Sequence, residues 1–277
     1  MIRLVVSNQR GGVAKTTTAV TLSRCFADRG MRTLLIDTDS QGSVGTILGL
    51  RPEFTLHDFL IRQVLFTECI VEAHENLHVL CSDRKTQAAE DIISGQTLRE
   101  LHFEQAFGDS GADRGYDAVV IDVAPSLNLF QTCAMLYTKH VLIPVAMETL
   151  SVQGASASIS SANELNRLFK RQSGISSVGM LPVMVNNRLQ MTGTVMTALE
   201  EMSKELRVPL LPRIRTDTAV VRAARSRKFV QDFDPKSKAL EDYEVAADAL
   251  LLALGYTKPK GEPKHASSEA KRGKAAG

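Results

Sequence analysis

A chain of 277 residues with 44% hydrophobic residues is long enough to close one sizeable core, and that length is ordinary for a single α/β domain. Lys plus Arg is 33 against 31 Asp plus Glu, a formal net charge of +2, which argues against a generally basic nucleic-acid binder and leaves room only for a local basic surface. With no Trp and 5% aromatic residues, stacking of single-stranded bases is a poor fit, and no apolar run reaches the length of a membrane span. Residues 2–7, Ile2 to Ser7, are β-branched and apolar, as in a buried parallel strand. A Gly-containing turn leads into a helix from Thr16 to Asp28, closed by Gly30. A second buried strand, from Thr33 to Ile36, ends in Asp37 and completes a βαβ unit. The alternation repeats with strands expected at 78–81, 118–121, 141–145 and 178–185. Between and after them, helices are expected over 85–107 (mostly helical), 127–137, 152–171 and 194–206. This pattern predicts an α/β fold, a single doubly wound and mainly parallel sheet with helices on both faces. A last amphipathic helix over 241–254 stops at Gly255. Residues 256–277 hold six Lys/Arg and two Glu, a charge of about +4. The expected organisation is a folded domain over 1–256 and a disordered basic tail over 257–277. Cys25, Cys69, Cys81 and Cys133 form no C-x-x-C pair, so they read as small buried thiols of a cytosolic protein.

The segment Arg10-Gly11-Gly12-Val13-Ala14-Lys15-Thr16-Thr17 lies between a strand and a helix. Backbone N–H groups cradle a polyphosphate only if the loop wraps closely, which favours the small residues Gly11, Gly12 and Ala14. The helix that follows adds its positive N-terminal end. Lys15 is placed to reach the β- and γ-phosphates, and the Thr16 hydroxyl to ligate magnesium. The strict pattern G-x-x-x-x-G-K-[ST] is not met, because Gln9 and Ala14 stand at the two glycine positions. Two further acidic groups, Asp37-Thr38-Asp39-Ser40-Gln41-Gly42 and Asp122-Val123-Ala124-Pro125-Ser126, each follow a buried strand.

Asn8 to Thr18, N-Q-R-G-G-V-A-K-T-T-T, resembles the deviant Walker A box of the ParA/Soj/MinD-type P-loop ATPases, usually K-G-G-V-G-K-T-T. Arg10 stands where that family has its signature lysine, which reaches across a dimer to the partner's nucleotide. The resemblance extends over roughly 1–254: the Asp37 segment is similar to switch I (D-x-D-P-Q-G), with Ser40 for the proline, and the Asp122 segment to Walker B and switch II (D-x-P-P-S). It implies ATP and Mg2+ as cofactors. Gly11, Gly12, Val13, Ala14, Lys15, Thr16 and Thr17 would hold the nucleotide, and Thr16, Asp37 and Asp122 the metal. Lys15, Asp39 and Arg10 would carry hydrolysis, with Asp39 orienting the attacking water. Glu148 falls where the family often has an acidic residue. Asn186 and Pro212 match the loops that flank adenine.

The segment from Arg213 to Lys228 contains six basic residues and Asp217 as its single acid. Arg222, Arg225 and Lys228 would share one helix face by their i, i+3, i+6 spacing. With Arg188, Arg213 and Arg215 they form a candidate surface for nonspecific double-stranded DNA, read through its phosphates. The ParA partition branch is favoured: an ATP-dependent homodimer, cytoplasmic and nucleoid-associated, released from DNA by a ParB-like or other cargo-bound activator. A MinD-like membrane protein, an iron–sulfur-carrier ATPase and an ATP-binding regulator with negligible hydrolysis are the alternatives. The C-terminal composition argues against a membrane partner, and the cysteine positions argue against a cluster.

Overall fold

The computed structural model describes residues 1–170 and 174–256. The predicted helix end at Arg171 and the predicted tail at 257–277 lie outside the described residues. Strands β1 (Ile2–Val6), β2 (Thr33–Asp37), β3 (Ile70–His74), β4 (Leu77–Leu80), β5 (Ala118–Asp122), β6 (His140–Ala146) and β7 (Ser176–Val183) form one seven-stranded sheet. Its order is β3-β4-β2-β5-β1-β6-β7, and β3 pairs antiparallel with β4 while the other neighbours run parallel. The expected fold class is therefore observed, with one antiparallel edge strand added.

The helices are α1 (Lys15–Asp28), α2 (Ser43–Leu48), α3 (Leu56–Arg62), α4 (Phe66–Cys69), α5 (Lys85–Ser94), α6 (Leu129–Thr138), α7 (Thr149–Leu168), α8 (Gln190–Leu206), α9 (Thr218–Arg225), α10 (Val230–Phe233) and α11 (Lys238–Ala253). Alternate side chains of each central strand feed opposite faces of the sheet. Leu4, Val6 and Leu35 pack with Phe26 of α1 and with Tyr243 and Leu250 of α11. Val5, Leu34 and Ile36 pack on the other face with Met135 of α6, Ile159 of α7 and Leu199 of α8. Each such fully buried side chain stabilises the fold by about 1.5–3 kcal/mol before entropy is counted. Burial on both faces explains why β1, β2 and β5 read as continuous apolar runs.

Two stretches depart from the sequence expectation. The long helix expected over 85–107 breaks after Ser94, because Gly95 caps α5 and Leu98 takes a left-handed φ of 57°. A 3-10 turn (Arg99–Leu101) and a π-helical turn (Glu104–Asp109) follow, and they bury Phe103 and Phe107 against Phe130 and Tyr137. Residues 43–74 hold α2, α3, α4 and β3, none of which was anticipated. The sequence did carry one signal there: Thr55 and Asp58 form a capping box at the start of α3, with the Thr55 amide 2.9 Å from Asp58 Oδ2.

The two borders of the sheet differ. Along β7 the segment 209–216 lies hydrogen-bonded, through Met180 N to Pro209 O, Leu211 N to Met180 O and Val185 N to Ile214 O. β3 forms the other border and carries a bulge between Glu72 and His74.

Candidate functional site

The loop after β1 rises from the centre of the sheet, where β1 lies between β5 and β6. In open α/β sheets the crevice beyond the strand C-termini at such a point is where ligands bind. Two left-handed residues shape the loop, Gly12 (φ 79°) and Ala14 (φ 58°), and Ala14 is also the N-cap of α1. The Lys15 ammonium folds back under the loop and donates to Asn8 O at 3.1 Å and Arg10 O at 2.9 Å. Burial lowers the Lys15 pKa, while Asp122 and Asp39 act in the opposite sense.

Helix α7 buttresses this loop, a role that the sequence did not announce. Asn8 Nδ2 donates to Pro144 O at 2.8 Å and to Ser151 O at 3.2 Å. The Gln9 amide donates to Ser158 Oγ at 3.1 Å, and Gln9 Nε2 donates to Ser161 Oγ at 2.8 Å. Ser151, Gly154, Ser158 and Ser161 are small residues at helical spacing, a signal indistinguishable from close packing. Arg10 projects beside α7, where its Nε lies 3.6 Å from Glu148 Oε1 with both side chains about half exposed (45% and 50%). The Ser151 hydroxyl orients that carboxylate at 2.9 Å.

Asp37 and Asp122 end adjacent parallel strands and are register partners across β2 and β5. Both are fully buried. Asp37 accepts from the Asp39 amide at 3.0 Å and the Val44 amide at 3.1 Å. Neither carboxylate oxygen of Asp122 has a hydrogen-bond partner, and Thr16 stands beside it without closing one. Burial raises both pKa values, and the neighbouring Asp37 charge adds to the rise at Asp122. A buried carboxylate without a partner is costly. A cation beside Asp122, Asp37 and the Thr16 hydroxyl would satisfy it, and oxygen donors few in number suit magnesium, which keeps several waters. Asp39, half-buried, accepts from the Gln41 amide at 3.0 Å, and the Ser82 hydroxyl donates to its carbonyl.

The AAA_31 family of AAA domains matches residues 1–174. The chromosome partitioning protein ParA of Caulobacter vibrioides is 33% identical over 199 residues, covering 70% of this chain and 68% of that protein. The chain belongs to the ParA/Soj/MinD-type P-loop ATPases. The sporulation initiation inhibitor protein Soj of Bacillus subtilis is 29% identical over 255 residues, 88% of this chain and 98% of Soj. Among solved structures, cobyrinic acid a,c-diamide synthase of Mycobacterium smegmatis with bound ADP and magnesium superposes with a TM-score of 0.76 at 26% identity. That match covers 92% of this chain and 96% of the synthase.

Within this ParA/Soj/MinD-type fold, a small cleft of about 160 Å³ opens beside Ala14 and Thr17. Met184, Ile214, Thr216 and Tyr243 are among its walls, and the two residues expected to flank adenine, Asn186 and Pro212, are not. Asn186 instead closes a turn, accepting from the Arg188 amide at 3.1 Å, so its carboxamide oxygen is already engaged.

The six candidate DNA-binding cations do not act as one set. Arg188, Arg213, Arg222, Arg225 and Lys228 are exposed. Arg215 is held by Asp242 at 2.7 and 2.8 Å and by Glu241 at 3.3 Å, so its charge is already matched. The shared helix face of Arg222, Arg225 and Lys228 is corrected too. Helix α9 ends at Arg225, and Arg227 turns left-handed with φ 56°, which carries Lys228 off the helix. Arg222 lies over the Phe233 ring at 5.4 Å. All four cysteines are buried and free, and burial pushes the Cys133 thiol up to about 12, far from a thiolate ligand. Among the described residues no helix is long and apolar enough to cross a membrane.

Proposed function

We propose that the chain is an ATP-dependent partition or positioning ATPase that binds Mg-ATP in the loop after β1. The observation that carries this reading is the buried, unpartnered carboxylate of Asp122 beside Lys15 and Thr16 at the sheet's C-terminal edge. The nucleotide-bound relative described above and the chromosome-partition relatives support it. Gly11, Gly12, Val13 and Ala14 would give the phosphates their backbone amides, with Lys15, Thr16 and Thr17 at the helix end. Thr16 and Asp122 would hold magnesium, with Asp37 behind them. When bound, the metal neutralises phosphate charge. Asp39 orients the attacking water, because phosphoryl transfer asks for position and charge more than for a strong base. The cleft beside Ala14 and Thr17 takes the nucleoside end.

Arg10 would cross to the partner's nucleotide in an ATP-bound homodimer. Its half-exposed ion pair with Glu148 is worth at most about 1 kcal/mol, so exchanging the carboxylate for a phosphate costs little. The dimer would carry Arg188, Arg213, Arg222, Arg225 and Lys228 to nonspecific double-stranded DNA, placing the protein on the nucleoid. A ParB-like, cargo-bound partner would stimulate hydrolysis and so release the DNA, a population shift between two states.

The test is binding to a nonspecific duplex across a salt series with ATP and with ADP. We expect binding at least tenfold tighter with ATP. We also expect Asp39→Ala to stay on DNA after ATP is added. Equal binding with both nucleotides removes the switch.

A further inference from the structure

A second cavity, of about 410 Å³, borders switch I, includes no residue of the phosphate loop and has no part in the reading above. Its walls come from Ser40–Gly42, from α2 and the turn after it, from the loop after β4, and from the turn after α9. Arg51, Arg84 and Arg227 line it against a single carboxylate, Asp83. That carboxylate already accepts from the Lys85 amide at 2.9 Å at the start of α5. Among the described residues no guanidinium of these three arginines has an ion pair or a hydrogen-bonded partner, whereas those of Arg24 and Arg215 are each tied to two carboxylates.

The backbone holds Arg227 there at a cost. Its φ of 56° is a left-handed conformation that a residue with a β-carbon disfavours by roughly 1–2 kcal/mol. The aliphatic part of Arg227 covers Gly49, itself left-handed at φ 69°. A β-carbon on Gly49 would lie 3.0 Å from both Cβ and Cδ of Arg227. Two left-handed residues from distant parts of the chain thus interlock at the cavity wall. The left-handed turn is the helix cap of α9, in which the Arg227 amide donates to Ala224 O and the Lys228 amide to Ala223 O, both at 3.1 Å, and it fixes where the Arg227 side chain leaves the backbone.

We propose that this cavity binds a small phosphate-bearing anion, gripped by Arg51, Arg84 and Arg227. Guanidinium groups bind phosphate oxygens bidentately, and three of them against one engaged carboxylate in a concave wall concentrate positive potential. The volume sits at the small end of the range for ligand cavities, about 300–1,000 Å³, which suits a few phosphates and a small organic group and not a duplex. The anion would touch switch I directly: a β-carbon on Gly42 would lie 3.0 Å from Ser82 O, so that segment already packs on the cavity wall.

The test uses the full chain saturated with Mg-ADP, with radiolabelled inorganic pyrophosphate added by equilibrium dialysis. One pyrophosphate per chain is expected beyond any held in the phosphate loop. Its affinity should fall at least tenfold in Arg227→Ala and in Arg84→Ala. Arg51→Ala, at an exposed position, serves as the variant least able to disturb folding and should show the same loss. The proposal is overturned if no pyrophosphate binds, or if it binds equally well in all three variants. It is also overturned if the variants lose affinity for duplex DNA while the wild type ignores pyrophosphate, which would assign these cations to a DNA surface. Because the site is scored by its dependence on the arginines, the outcome is separable from whether the phosphate loop takes ADP.

Discussion

Gly154 of α7 lies against Asn8 of the phosphate loop with no room for a methyl group between them. A β-carbon on Gly154 would collide with Asn8 Oδ1 and would lie 2.9 Å from Arg10 Cβ. The loop is thus seated on the helix as much as on its own strand. Gly154→Ala is expected to weaken binding of a magnesium-bound ATP analogue at least tenfold, about 1.4 kcal/mol. Overpacking should also cost about 1–3 kcal/mol of stability. Titration calorimetry and urea unfolding measure the two effects, and full retention of affinity would show that α7 does not position the loop.

Asp122 and Asp37 are two buried acids side by side, the first without a partner. Asp122→Asn is expected to stabilise the nucleotide-free, metal-free protein by on the order of 1 kcal/mol, because burial and Asp37 disfavour the carboxylate in the folded chain while the unfolded chain ionises freely, a penalty that the neutral amide does not carry. The same variant should lose the part of its nucleotide affinity that depends on magnesium. A melting temperature that falls without magnesium contradicts the electrostatic account.

Glu148→Gln releases Arg10 and removes nothing else that the fold depends on. Half-exposed ion pairs contribute about 0–1 kcal/mol, so unfolding in urea should shift by no more than about 0.5 kcal/mol. A loss above about 2 kcal/mol would make Glu148 a structural anchor, in conflict with its exposure.

Asp217 ties two helices together. It caps α9 through the Ala219 amide at 2.9 Å and accepts from the Ser237 hydroxyl at 2.8 Å and the Lys238 amide at 2.9 Å at the start of α11. The bond from the Ala219 amide, ahead of the opposing effect of burial, holds its carboxyl below the ordinary carboxylate value. A depressed folded pKa stabilises fully above the unfolded value, near pH 3.9, and the gain disappears as pH falls through the folded value. Asp217→Asn should therefore cost about 1–2 kcal/mol at pH 7. The gap between variant and wild type should narrow below about pH 4. Paired urea titrations from neutral pH down to the lowest pH at which the wild type stays folded test both points. A penalty independent of pH would assign the loss to shape alone.

The strands and the phosphate loop were legible because their chemistry leaves few choices. A strand buried on both faces must be largely apolar, as β1 is apart from Arg3 and β5 is up to Asp122, and a loop that wraps phosphate must be small and end in Lys and Ser or Thr. Asp37 and Asp122 were visible as charges abruptly ending apolar runs. The contribution of α7 was not visible, since Gly154, Ser158 and Ser161 differ from packing residues only by what they touch. Residues 43–74 escaped because α2, α3, α4 and β3 are each too short for periodicity to register. The face drawn through Arg222, Arg225 and Lys228 failed at Arg227, where a side chain occupies a backbone conformation usually left to glycine.

The two borders of the sheet also limit how copies of this chain can meet. One is occupied from Met180 onward by the chain's own segment 209–216, and the other is a short strand with a bulge and the exposed Glu72. Little straight edge remains on either side on which a second molecule could template a strand. Self-association through a continuous intermolecular sheet is thereby disfavoured, as is slow conversion to fibres.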